Sequence, residues 1–273
     1  MTNWNGRALV DGDWLAEHID DPDLRIIDAT VVMTRSDKFI AHHQYNARAH
    51  YLKGGIYIRA KKPNLAAAPF RRAIELKPEW RDPYLQLGQI LVSRRDTLNE
   101  GLSLLQTGYA LTKQDEEIGT LLALVQEGNG RIDGALKTFE AILNRNPKHQ
   151  LAANNFAALI ADQRLNDPDQ LKRALAVMQP YRTTARGALL DTLGWVHFRL
   201  GNIKAAVSYL EQAAERSPNF DEIKIHLAEA YIEDGQIELA RENLDFIIQK
   251  EKKTRFTSQA EKLLATISTD IKK

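Results

Sequence analysis

The chain has 273 residues, 44% of them hydrophobic, with 37 lysine plus arginine against 36 aspartate plus glutamate. That near-zero balance argues against a nucleic-acid binder, which carries a basic excess. The lack of any cysteine excludes disulfides, thiolate metal sites and cysteine nucleophiles. No apolar run approaches the roughly 20 residues that span a bilayer, and the N-terminal MTNWNGRALVDGDW has no signal-peptide pattern. The expectation is a cytoplasmic protein without membrane insertion.

The first 46 residues read as an extension of mixed α/β character. LVDGDWLAEHI is an amphipathic helix candidate, and DDPDLRIIDATVVM contains a buried strand candidate. Residues 8–33 resemble the start of a rhodanese-like sulfurtransferase domain: a tryptophan-leucine helix, a DPDLR turn, then IIDA. Such a domain needs roughly 80 further residues and a persulfide-carrying cysteine, and neither is present. The segment is therefore an incomplete start of such a domain, or a cap on the first unit of the repeat that begins at residue 47. Residues 34–46 are expected to be helical.

From residue 47 the chain repeats. Gly194 and Ala228 are 34 apart, as are His197 and Tyr231, Gly201 and Gly235, Ala206 and Ala240, Leu210 and Leu244, and Ala213 and Ile247. The register continues upstream through Gly54 and Gly88, and through Phe70 and Leu104. A small residue recurs in each first helix and another opens each second helix, followed four later by a large apolar one. Proline closes units at Pro78, Pro147 and Pro218, because it cannot continue a helix. At Gly194 the missing side chain lets Leu210 of the next helix approach.

This pattern resembles the tetratricopeptide-repeat family, whose unit is 34 residues. The resemblance implies an all-α, right-handed solenoid of about six helix-turn-helix units: 47–80, 81–115, 116–149, 150–186, 187–220 and 221–254. In the second unit, Gly101 and Gly108 each weaken the second helix by about 1 kcal/mol relative to alanine. The third has Gln126 where an aromatic is usual. The fourth has a turn lengthened at Asn166–Asp169. Each pair leaves apolar ends, so neighbours are required. Residues 255–273, with Phe256, Ala260, Leu263, Leu264 and Ile267, read as an amphipathic capping helix.

No catalytic, metal or cofactor constellation stands out. There is no GxGxxG, P-loop or nucleophile elbow. Gly128-Asn129-Gly130 is a turn between repeat helices. His42, His43 and His50 lack further ligands at helical spacing, and His197 occupies a packing position where tyrosine is usual. The family resemblance implies a non-catalytic scaffold that binds a protein or peptide along its first helices. In register, the lining residues are Arg48, Tyr51 and Arg59, then Leu85 and Gln89. Asn154 and Asp162 follow, then Asp191, Trp195, Phe198 and Arg199, and finally Glu229 and Glu233. A lysine-asparagine clamp for a chain terminus is disfavoured, because Ala188 and Thr192 stand where its basic residues would be.

Charge is uneven. Residues 47–80 carry eight basic and two acidic residues, whereas residues 221–254 carry five and nine. Such polarity steers a partner of opposite pattern, or head-to-tail assembly into a homo-oligomer. The segment DTLGWVHFRLG is similar to bacterial repeat proteins of cell-envelope and exopolysaccharide systems. An accessory subunit of a sulfurtransferase-type enzyme is the alternative suggested by residues 8–33.

Overall fold

The computed structural model describes residues 24–27, 30–33, 46–164 and 166–270. Two short strands come first, β1 (Leu24–Ile27) and β2 (Thr30–Met33), paired antiparallel from Leu24↔Met33 to Ile27↔Thr30. The expected helix over 9–19 lies outside the described residues, as does nearly all of the one expected over 34–46.

Thirteen α-helices are described after the strands. They are α1 (Ala47–Arg59), α2 (Pro63–Leu76), α3 (Arg81–Val92), α4 (Leu98–Leu111), α5 (Glu116–Gly128), α6 (Ile132–Arg145), α7 (Gln150–Gln163), α8 (Pro168–Met178), α9 (Gly187–Arg199), α10 (Ile203–Arg216), α11 (Asp221–Glu233), α12 (Ile237–Ile248) and α13 (Arg255–Asp270). None of them is long and apolar enough to cross a membrane. The chain divides into two compact units, Met1–Thr138 and Phe139–Lys273.

Local chemistry sets the helix ends. Asn46 Oδ1 accepts the backbone N–H groups of Arg48 (3.0 Å) and Ala49 (3.2 Å) at the start of α1. Asp115 does the same for α5. Asp167 accepts from Gln170 at 3.1 Å, with Pro168 in the first turn of α8. Each satisfies donors that a helix start leaves open. Helices α2, α6 and α10 stop at Leu76, Arg145 and Arg216, each two residues before a proline. A residue preceding proline disfavours the helical region.

In the first unit, α1 packs on α2 and α3 on α4, with α2 on α3 and α4 on α5. Tyr57, Ala66, Phe70, Leu87 and Leu91 form one core cluster. Tyr84, Leu102, Leu105, Ile118 and Leu122 form the next. The glycines of α4 have a packing role: a Cβ on Gly108 would stand 2.5 Å from the Tyr84 ring. Gln126, in place of an aromatic, receives a 3.1 Å hydrogen bond from the Thr138 hydroxyl.

In the second unit, α7 and α8, α9 and α10, and α11 and α12 form successive pairs, and α13 packs on α12 and α11. A Cβ on Gly194 would meet Leu210 Cγ at 2.7 Å, so the helices touch as the residue spacing predicts. Leu210, Tyr231, Leu244 and Ile247 share a core with Ala260 and Ile267 of α13, and Phe256, Leu263 and Leu264 pack against it. The outer face of α13 is exposed. Of the expected lengthened turn Asn166–Asp169, Pro168 and Asp169 belong to the first turn of α8, and a 3-10 turn, Gln179–Tyr181, follows α8 and leads to α9.

Candidate partner-binding groove

Within the second unit the first helices touch in sequence: α7 on α9, α9 on α11, and α11 on α13. A heptad-like spacing on α9 brings Asp191, Trp195, Phe198 and Arg199 to one stripe. Cross-helix bonds then lock this stripe. The indole Nε1 of Trp195 donates to Asp162 Oδ1 of α7 at 2.8 Å. On the other side, His226 of α11 contacts Asp191 Oδ1 through Nδ1 at 2.9 Å.

The aromatic faces stack. Trp195 lies 4.0 Å from His226, centroid to centroid, at 13° between planes, and 4.9 Å from Phe198 at 3°. The Arg199 guanidinium sits 4.1 Å from the Trp195 centroid and 5.8 Å from that of Phe198. These are favourable cation–π distances. Trp195 is 4% exposed, so it is the floor of the cluster, and Arg199 is what the cluster presents.

Burial pulls the His226 imidazole down, but Asp191, with Glu222 and Asp162 behind it, outweighs that and leaves its pKa raised. His226 therefore favours the cationic form beside Asp191 and against Trp195. Further along the face, Glu229 accepts a 3.2 Å hydrogen bond from Gln259 of α13, and Glu233 is exposed. Two atoms are left over. Asn154 Oδ1 on α7 and Arg199 Nε on α9 are buried with no hydrogen-bond partner among the described residues.

Five of the residues expected to line a groove thus form one cluster: Asp162, Asp191, Trp195, Phe198 and Arg199. Glu229 and Glu233 extend it along α11, and Asn154 lies on the neighbouring α7. In the first unit the expected residues do not gather in this way. Tyr51 is half-buried against Phe70 (5.6 Å) and Trp80 (4.8 Å), and burial, then Asp82, raises its pKa. Leu85 packs beside the Tyr84 core. Arg48, Arg59 and Gln89 are exposed.

Sequence spacing missed His226 and Gln259. His226 sits one residue past the register position used for Asp191, on the next unit. A signal was available: a histidine 35 residues after an aspartate, one helix over, is within reach of it. A separate cavity of about 320 Å³ lies among Leu143, Pro147, Phe156, Ala176, Val177 and Pro180 of the second unit, with the Arg173–Glu140 ion pair beside it. It has no residue in common with the aromatic stripe.

Comparison with known proteins agrees with this architecture. Three family models, each described as tetratricopeptide repeat, match residues 37–79, 102–149 and 197–267. A TPR repeat-containing protein of Pseudomonas aeruginosa is 22% identical over 174 residues. That match covers 64% of this chain, and the chain spans 29% of that relative's length. A tetratricopeptide repeat protein from Parabacteroides merdae superposes with a TM-score of 0.65 at 15% identity, covering 83% of this chain and 88% of that one. TTC0263 of Thermus thermophilus gives 0.54 at 22% identity, covering 68% and 100%. YrrB, described as a TPR protein with an unusual peptide-binding site, gives 0.55 at 15% identity, covering 68% and 94%. From the repeat register, the helix pairs and these matches, the chain belongs to the tetratricopeptide-repeat family.

Proposed function

We propose that this chain is a non-catalytic scaffold that holds an extended segment of a partner protein along the face of α7, α9, α11 and α13. The cross-braced stripe of Asp162, Trp195, Arg199 and His226 carries the proposal. Aromatic and arginine side chains dominate binding hot spots, and a stripe fixed by bonds to both neighbouring helices loses little freedom on binding. Support by analogy comes from structures of the same fold whose descriptions name a peptide-binding site or a protein complex. The DTLGWVHFRLG segment favours a bacterial envelope or exopolysaccharide assembly as the setting, with this chain on its cytoplasmic side.

The test is site-specific photo-crosslinking in the host. A photoreactive residue is placed at Ala188 or Glu233 on the groove face, and at Ser208 or Glu215 on α10; all four positions are exposed. Adducts to one partner from the groove positions alone are expected. Adducts from α10 alone refute the groove, and no adduct from any position refutes the scaffold.

A further inference from the structure

Arg199 is the feature that the fold does not account for. Its guanidinium lies over the Trp195 ring, with Phe198 further off, yet it makes no ion pair among the described residues. Carboxylates are available on the same face, but other groups hold them. Asp162 is held by the Trp195 indole, Asp191 by His226 and Glu229 by Gln259. The Arg199 Nε is buried and unbonded. A guanidinium packed over an indole loses little further freedom when its N–H fork engages a ligand. The ligand that completes such a fork is a carboxylate, which accepts two parallel hydrogen bonds.

We infer, resting on the groove as the binding face, that Arg199 is the receptor for one carboxylate side chain of the bound segment, a glutamate or aspartate flanked by lysine or arginine. The flanking charge follows from the surroundings. Glu229 and Glu233 stand on this face without an ion pair among the described residues, so a run of acidic residues would be repelled.

The experiment selects a displayed library of random dodecapeptides on the full chain and on Arg199→Gln, Arg199→Lys and Glu229→Gln/Glu233→Gln. Circular dichroism confirms that each variant is folded. Expected peptides from the unaltered chain carry one acidic residue between basic ones. Arg199→Gln should lose the acidic preference and keep the basic one, and the double glutamine variant should do the reverse. In synthetic peptides, Glu→Gln should weaken binding about tenfold to the unaltered chain and under about twofold to Arg199→Gln, with Arg199→Lys between them. Selected peptides whose acid preference survives Arg199→Gln refute the inference but leave the groove standing. Affinity that depends on a free C-terminal carboxylate, rather than on the internal acid, also overturns it. If no peptide is enriched, the groove reading falls as well.

Discussion

The His226–Asp191 pair makes a sharp prediction about pH. Both side chains are largely buried, with 16% and 12% exposed. Burial acts against the charged imidazole, while Asp191, Glu222 and Asp162 act for it and win. The folded value thus lies above the ordinary value of about 6.5. The imidazolium's contribution to stability is complete below that pH and is lost as pH rises through the folded value. In Asp191→Asn the largest of the opposing charges is gone, and burial then drives the imidazole neutral. Discharging it costs about 1.4 kcal/mol for every pH unit below 6.5, so about 1.4 kcal/mol at pH 5.5. The unaltered chain gains at that pH instead. The ceiling is the 3–5 kcal/mol typical of a buried pair broken at one end. The gap between the two proteins should therefore lie between about 1.4 and about 5 kcal/mol at pH 5.5, and narrow as pH rises. Denaturant melts followed by tryptophan fluorescence measure the gap, and the proton NMR titration of His226 gives its midpoint directly. A gap that widens with pH, or a midpoint below 6.5 in the folded protein, refutes the assignment of a charged His226.

Other substitutions probe the same unit. Leu210 is fully buried against Gly194, so Leu210→Ala should cost about 2–5 kcal/mol in a denaturant melt. Asp162→Ala removes the acceptor of the Trp195 N–H and should cost about 1–3 kcal/mol, with a change in tryptophan emission. The Tyr231 phenol, buried and donating to Glu211 at 2.8 Å, is raised by burial, then by Glu211. Alkaline titration at 295 nm should show a late-ionising tyrosine, and Glu211→Gln should bring that step forward.

The sequence made the helix count and the register legible because both follow from one-dimensional spacing. Residues 34 apart have to take equivalent places in successive pairs, and proline has to end a helix. The groove was legible only by row. Spacing put Asp191, Trp195 and Arg199 on one stripe of α9, but could not show that Arg199 covers the indole. That depends on which rotamer wins and on Asp162 engaging the indole N–H from another helix. His226 escaped for the same reason: its role comes from a neighbour 35 residues away, and pair chemistry is not periodic. The run that reads as one strand candidate contains two paired strands, Leu24–Ile27 and Thr30–Met33, since an apolar run does not reveal where one strand ends and the next begins.

The α4 glycines show most clearly where propensity and packing part company. By propensity, replacing a helical glycine with alanine gains about 1 kcal/mol. Gly55, inside α1, tests that gain alone, because a Cβ there meets nothing within 4 Å. Gly55→Ala should therefore stabilise the chain by about 0.5–1 kcal/mol. Gly108 offers the same gain but faces Tyr84, whose ring atoms would lie 2.5 Å and 2.7 Å from the new carbon. Tyr84 is 1% exposed and cannot retreat into solvent, so the overlap has to be relieved by moving packed helices, at about 1–3 kcal/mol. Gly108→Ala should thus be neutral to destabilising by about 2 kcal/mol. Shrinking the opposing ring with Tyr84→Leu should restore the favourable sign of the glycine substitution in that background. If Gly108→Ala stabilises the unaltered chain as much as Gly55→Ala does, then α4 does not press on Tyr84, and its glycines are only weak points in the helix.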